Sequence, residues 1–448
     1  MEIKGKKISI IGAVRSGIGA ARLSKKLGAV PFVSDSGSEE KLKTSIALFE
    51  SEGIDFELGG HSERVYECDL IITSPGVPTD SVVLKNAAAR KIKIISEVEF
   101  ASWFCKGGII AITGTNGKTT TTALMNHTLN ECGIKSYSAG NIGNAFSDIV
   151  LDVKEDQFVA LETSSFQLDF TEKFKPFFSI ILNITPDHMD RYENKLEKYI
   201  ASKIKITAYQ DESNFFLFNA DDINTSRTMQ NRRVQKLSFS LTKEVPAGAF
   251  VRNGKMFFAW FGALEEVCPV TDLFIKGEHN VANALAVLAV AKTLNLPNLK
   301  IRGAFQSFHG VEHRIEFVRE LNGVEYYNDS KATNVDSVVV ALKSFEKPIY
   351  LILGGKDKGN DYSQIESLIS RHVKKIYAIG VSAEKVKSFF ESIVETEIKN
   401  SLEECVESAM LQALPGSVVL LSPACASFDM FTDYEHRGRV FKKAVNNL

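Results

Sequence analysis

The stretch Ala111–Leu124, AITGTNGKTTTTAL, decides how the rest of the chain reads. It ends a strand-like run and carries Gly-Lys-Thr at Gly117, Lys118 and Thr119. The common phosphate loop has the form GxxxxGK[ST]. Here Ile112 stands where the first glycine should be, and only Thr115 and Asn116 separate Gly114 from Gly117. The shorter loop still supplies what a phosphate needs. Two glycines let backbone N–H groups turn inward, and a helix begins at once, so its N-terminus favours an anion. Lys118 would reach the terminal phosphates, and Thr119 would offer its hydroxyl to Mg²⁺. The alternative is a strand-to-helix turn with an incidental lysine. The setting favours the loop: GIIAITG is a continuous apolar strand of the kind buried in parallel sheets, and a helix through about Cys132 follows.

Outward from the loop, strand-like and helix-like segments alternate, the α/β pattern. Before it come KKISIIGA, VPFVSD, CDLIITSPGVP and IKIISEVEFA as strands, with a helix over 18–28. A Gly-Gly pair at 107–108 closes this unit. After the loop, FVALETSS and FFSIILNIT are further buried strands. Asn253-Gly254 between apolar runs signals a hairpin, and EHNVANALAVLAVAKTL a long apolar helix. VEYYNDS, KPIYLILGG, KKIYAIG and SVVLLSPAC are strands of a third unit. The expected architecture is three α/β domains, 1–100, 101–310 and 311–448: a Rossmann-like domain, a central ATPase-like domain with a mostly parallel sheet, and a second Rossmann-like domain.

Composition narrows the class. The 448 residues are 44% hydrophobic and 24% charged, as in globular chains, with a formal charge of -2 that argues against a nucleic-acid binder. No run approaches the roughly 18 apolar residues of a membrane span. The N-terminus lacks a signal peptide's apolar core, so a cytoplasmic protein is expected, with monomer as the default. The 6 cysteines form no CxxC pair, which points to thiols rather than zinc or disulfides.

A nucleotide loop requires a metal site. Glu162 ends the strand FVALE, and His188 lies just past FFSIILNIT in TPDHMDRY. Parallel strands deliver such ends to one rim, where α/β ligands bind. A carboxylate and an imidazole there would hold Mg²⁺ against the phosphates. Singly, Glu162 reads as a surface carboxylate and His188 as a loop histidine; together beside the loop they read as ligands.

The segments GTNGKTT, LETSSFQL, NITPDHMDRY, GEHNVANALA, HRIE, NDSKATN and LSPACASFD follow in order from Gly114 to Asp429. This series resembles the Mur ligases, over the whole chain, and its C-terminal motifs resemble the D-glutamate-adding member. Relatives including folylpolyglutamate synthase share the short loop, so the loop alone does not name the substrate. The resemblance implies an ATP-dependent ligase. ATP phosphorylates the free carboxylate of UDP-N-acetylmuramoyl-L-alanine, and D-glutamate's amine attacks the acyl phosphate. Alternatives are a sibling ligase adding another amino acid, or a nucleotide-dependent switch.

By the same resemblance, Gly114, Thr115, Asn116, Gly117, Lys118, Thr119 and Thr120 hold ATP phosphates. Thr119, Glu162 and His188 hold the metal, two Mg²⁺ ions being expected, and Lys203 carries a carbamate that ligates the second. Asn141 of AGNIG and Ser164 lie near nucleotide and substrate; Ser164 reads equally as a turn cap. Asn283, His313, Arg314, Asp329 and Lys331 serve the adenine and ribose end, so ATP would be completed by domain closure, which excludes water. D-Glutamate would meet Thr333, Lys358, Ser427 and Tyr434, with Lys356 an alternative to Lys358.

UDP would lie in the first domain. IIGAVRSGIG is similar to a dinucleotide fingerprint, but Val14 replaces its second glycine. Arg15 and Ser16, between Gly12 and Gly17, would meet the diphosphate. Asp35 would accept from uracil or ribose, with Ser74, Pro75 and Gly76 as the uracil-side turn.

Overall fold

The computed structural model describes residues 2–227, 233–357 and 359–448. Lys358 therefore lies outside the described residues. The chain forms two compact units, one of residues up to Leu273 with Val281–Gln306, the other of Phe274–Asn280 with Ser307–Leu448.

The first unit holds two sheets. One is a five-stranded parallel sheet ordered Asp55–Leu58, Val30–Asp35, Lys7–Ile11, Leu70–Thr73, Ile94–Ser96. Its inner strands are buried almost throughout, which is why they read as apolar runs rather than alternating ones. The other sheet has nine strands. Gly108–Thr113, the strand before the loop, sits between Phe178–Ile181 and Phe158–Glu162, with Ser136–Gly140 beyond the latter. All these neighbours are parallel. The far edge turns antiparallel through the hairpin Ala247–Arg252 with Lys255–Trp260. Its turn puts Asn253 and Gly254 at φ 50° and 72°, the geometry that Asn-Gly favours.

The two sheets share one apolar core, with Ile10, Val33 and Ile72 continuous with Phe146, Leu161 and Ile181. Helix Arg15–Lys26 packs on the turn before Phe146–Ile149 so closely that a Cβ on Gly19 would stand 2.9 Å from Ala145 Cβ. Each fully buried large side chain at this seam contributes on the order of 1.5–3 kcal/mol.

The expected strand through IKIISEVEFA stops at Ser96. Its hydroxyl accepts from Glu99 N, and helix Glu97–Ser102 follows with acidic residues in its first turn. A serine cap and two N-terminal glutamates favour helix over a further strand. Helix Arg15–Lys26 also begins earlier than the expected 18–28.

The second unit has a six-stranded sheet ordered Glu316–Leu321, Val324–Asn328, Val418–Leu421, Ile349–Gly354, Val373–Ile379, Thr396–Lys399, parallel except for its first pair. All 6 cysteines are free, with Cys268, Cys405 and Cys425 buried and the others half-buried. No helix among the described residues is long and apolar enough to cross a membrane.

Candidate active site

The loop after Gly108–Thr113 folds as its glycines require. Gly114 and Gly117 sit at φ 158° and 83°. Gly117 is the left-handed N-cap of helix Lys118–Glu131, and no side chain caps that helix start. The N-terminal end of the helix thus opens onto the loop, where its dipole favours an anion. A Cβ on Gly117 would lie 2.5 Å from Asn283 Oδ1, so the long helix Glu278–Thr293 brings Asn283 against the loop.

Around this turn the polar groups are tightly matched. Asn183 clasps Asn116 through both main-chain groups: Asn116 N donates to Asn183 Oδ1 at 2.8 Å, and Asn183 Nδ2 donates to Asn116 O at 3.1 Å. Thr115 Oγ1 donates to Thr185 O at 3.0 Å and accepts from Thr185 N at 3.0 Å. The NIT of NITPDHMDRY is therefore the second rail of the loop.

Two lysines meet here. Lys118 Nζ donates to Gly114 O at 2.9 Å and Thr115 O at 2.8 Å; Lys203 Nζ donates to the same Gly114 O at 2.9 Å. Lys203 is 1% exposed. Burial, and then the charge of Lys118, push its amine well below the ordinary lysine value, against the pull of Asp187, Asp169 and Glu162. Tyr199, one turn earlier on the same helix Leu196–Ile204, lays its ring 4.5 Å from the amine. By contrast, Lys205 pairs with Asp169 at the surface.

Glu162 ends its strand 2% exposed. Its Oε1 accepts from Asn141 Nδ2 at 3.0 Å, while Asn141 N donates to Glu162 O at 3.0 Å. Its Oε2 is buried with no partner among the described residues. A buried carboxylate oxygen without a donor carries a penalty that a cation would remove. With the nearly buried Thr119 hydroxyl it makes a hard-oxygen donor set suited to Mg²⁺. His188 is exposed at φ 53°, its Nε2 3.6 Å from Asp187 and its ring 5.1 Å from Phe166. Thr120 lies in the first helical turn. Ser164 is a cap: with Gln167 it forms a capping box on helix Ser165–Asp169.

Beside the first sheet, Gly12 at φ 104° turns the chain into helix Arg15–Lys26. A Cβ on Gly17 would lie 1.8 Å from Gly12 O, so Gly17 takes the glycine role of close strand–helix packing. Arg15 is exposed and Ser16 half-buried. Asp35 spends both oxygens on backbone, accepting from Ala13 N and Gly37 N, each at 2.7 Å. Ser74 N donates to Ile11 O. Arg191, in the same loop as His188, donates to Pro75 O at 3.3 Å and Gly76 O at 3.0 Å with its guanidinium 4.3 Å over Phe166.

In the second unit, His313, at φ 66° and 3% exposed, receives Asn328 Nδ2 at 2.9 Å from its Nδ1. Burial holds its ring below the ordinary histidine value. Asp329 accepts from Ser422 Oγ at 2.8 Å and Ile315 N at 3.2 Å, and burial pushes its carboxyl up to about 7. Arg314 precedes that Ile315. Lys331 Nζ lies 5.1 Å from the Tyr434 ring centre, and Tyr434 OH donates to Glu435. Thr333 N donates to Lys331 O. Ser427 is buried, and its carbonyl takes the N–H groups of Met430 and Phe431.

Arg437 was not expected from sequence. It is 1% exposed and ties the NDSKATN and LSPACASFD loops together, donating to Ser330 Oγ, Ser330 O and Cys425 O at 2.9, 2.7 and 3.0 Å. Nothing in YEHRGRVF marks it among the neighbouring charges. Arg191 and Asn183 lie in the NITPDHMDRY segment, but nothing in it marks a role for either. Tyr199 did carry a signal, its i, i+4 spacing to Lys203.

The fold and this rim define a nucleotide-dependent ligase class, and comparison agrees: residues 112–291 match the Mur ligase middle domain, 313–425 the Mur ligase glutamate ligase domain, and 7–83 the MurD N-terminal domain. The chain belongs to the Mur ligase family. More particularly, it is 45% identical to the UDP-N-acetylmuramoylalanine--D-glutamate ligase of Christiangramia forsetii, with 99% of this chain and 100% of that one covered. It is 43% identical to the enzyme of the same name from Koribacter versatilis, over 100% and 99%. Among solved structures, the UDP-N-acetylmuramate-alanine ligase MurC of Thermotoga maritima shares the fold at TM-score 0.62 and 21% identity, with 99% of each chain covered.

Proposed function

We propose that Lys118, Glu162, His188 and Lys203 form the reacting centre of this ligase, at the rim of the central sheet. The chain is an ATP-dependent ligase that joins D-glutamate to UDP-N-acetylmuramoyl-alanine in peptidoglycan precursor synthesis. The alanyl carboxylate attacks the γ-phosphorus of ATP, and ADP leaves. The D-glutamate amine then attacks the acyl-phosphate carbonyl, gives up a proton, and inorganic phosphate departs as the amide forms.

The first step brings two anions together. Unit like charges about 4 Å apart repel by roughly 4 kcal/mol at an effective dielectric of 20. Lys118 and the helix N-terminus behind Gly117 offset that repulsion. Magnesium, when bound, supplies a Lewis acid for the phosphoryl and carboxylate oxygens. Thr119, Glu162 and His188 would hold it, with Asn141 orienting Glu162.

Lys203 as a neutral amine is the form that adds CO₂: a nitrogen–carbon bond forms, one proton leaves to solvent, and the product is an anionic carbamate. The change places an anion beside Lys118. Asn283, His313, Arg314, Asp329 and Lys331 serve the adenosine end of ATP. Thr333, Ser427, Tyr434 and Lys358 serve D-glutamate. The loop of Arg15 and Ser16, with Asp35 and the turn Ser74–Gly76, takes UDP. The protein works in the cytoplasm as a monomer.

The observation that carries this reading is the convergence of Lys118 and Lys203 on one carbonyl, with the partnerless Glu162 oxygen in their field. The test is ADP release with Mg-ATP, UDP-N-acetylmuramoyl-L-alanine and, separately, D-glutamate, L-glutamate, L-lysine or meso-diaminopimelate. Turnover with D-glutamate alone is expected. Turnover with lysine or diaminopimelate instead would keep the phosphoryl chemistry and overturn the amino-acid pocket.

A further inference from the structure

Asp35 is the residue expected to read the uridine, yet both its oxygens already hold the backbone of Ala13 and Gly37. The neighbouring loop offers a second reader whose acceptor is not engaged among the described residues. After strand Asp55–Leu58 the chain turns through Gly59 and Gly60, whose N–H groups donate to Gly37 O at 3.0 Å and Asp35 O at 3.4 Å. This places His61 beside the carboxyl ends of the parallel strands, where open α/β sheets take their ligands.

The hydrogen-bond chain sets the tautomer of His61. Ser34 Oγ lies 2.7 Å from Glu57 Oε1 and 2.7 Å from His61 Nδ1. A serine hydroxyl has one proton, and a carboxylate can only accept it. That proton goes to Glu57, so Ser34 must accept from His61 Nδ1–H. A longer approach to Gly60 O, at 3.4 Å, does not compete. A neutral imidazole protonated on Nδ1 keeps its lone pair on Nε2. Burial holds the ring below the ordinary histidine value, against the pull of Glu57 and Asp35, which favours the neutral form. His61 is half-buried, and its Nε2 has no partner among the described residues. Ser34 and Glu57 thus build a hydrogen-bond acceptor of fixed orientation at the ligand edge of the sheet.

We infer that His61 determines specificity for the uridine end of the substrate, its Nε2 accepting from a donor there, either uracil N3–H or a ribose hydroxyl. The inference rests on the reading that the first sheet takes UDP. Where the donor is uracil N3–H, it also accounts for base choice, because cytosine carries no hydrogen on N3.

The experiment measures UDP, CDP, N3-methyl-UDP and 2′-deoxy- and 3′-deoxy-UDP as competitors of the UDP-linked substrate. It uses the full chain, its His61→Phe variant and its Ser16→Asp variant. In the unaltered protein, one analogue lacking the donor should bind roughly tenfold more weakly than UDP, the scale of one lost hydrogen bond. Loss with N3-methyl-UDP and CDP assigns the uracil; loss with a deoxy analogue assigns the ribose. In His61→Phe, UDP should weaken to that analogue's level and the analogue's own penalty should vanish. Equal penalties in both proteins overturn the inference, as does the absence of any penalty in the unaltered protein, which needs no variant. Ser16→Asp separates the two claims: weakened UDP binding there leaves the first-sheet reading standing whatever His61 does. Unchanged UDP binding in both variants overturns that reading as well.

Discussion

The rim of the central sheet and the loops of the C-terminal sheet both bury charge, in opposite ways. At the central rim, Lys118 and Lys203 crowd one carbonyl and Glu162 keeps a buried oxygen without a donor. In the C-terminal loops, Arg437 meets three acceptors and Asp329 two donors. Unmatched buried charge costs stability and is kept where a ligand will match it; matched buried charge holds loops in place. The difference separates a centre left unmatched from loops held by their own internal partners.

The strongest way to break this contrast is to remove charge from each region. Lys118→Ala should lower kcat on the order of a thousandfold or more in the ADP-release assay, since it removes the cation proposed to face the transferred phosphoryl. Its thermal midpoint should hold or rise, because the positive charge that opposes protonation of the buried Lys203 is removed. A variant that unfolds instead would make the central rim a scaffold too. Arg437→Met should do the reverse. It leaves Ser330 O and Cys425 O buried without their donor, and should cost about 3–5 kcal/mol in urea unfolding. Lysine at that position should not rescue, since it lacks the planar fork.

Glu97 sharpens the comparison, being matched on one oxygen only. Its Oε1 accepts from Ser147 N at 2.6 Å, its Oε2 has no partner among the described residues, and burial pushes the carboxyl up to about 7. The folded chain keeps a proton that the unfolded chain releases near pH 4.5. Stability therefore falls as pH rises between those values, and the full penalty stands above about 7. The stability gain of Glu97→Gln over the parent should grow across that window by up to about 3 kcal/mol and be flat on either side. A difference independent of pH would show that the carboxyl does not titrate there. The smallest effect belongs to Ser96→Ala, which removes the cap of helix Glu97–Ser102 and should cost about 1 kcal/mol in the same unfolding assay.

Much of the fold was legible because buried parallel strands leave unbroken apolar runs, as in GIIAIT, FVALE and LIIT. The run IKIISEVEFA misled because apolar content alone does not separate strand from helix, and the cap at Ser96 decided it. The turn at Gly114–Gly117 was legible because its glycines must sit where only glycine is comfortable. Arg437 and Arg191 were not, because what distinguishes a buried arginine from a solvated one is the set of carbonyls that distant segments bring to it.

By itself the sequence determined the α/β class, the glycine turn between strand and helix and the strand end carrying Glu162, since backbone conformation and hydrophobic periodicity are local properties. Only the tertiary structure decided that Lys203 is buried against Lys118 rather than solvated, that Ser164 is a cap, that Asp35 holds backbone and that His61 keeps its lone pair on Nε2. Each of those depends on which acceptors and charges lie within a few ångströms, and those neighbours come from segments far apart in the chain.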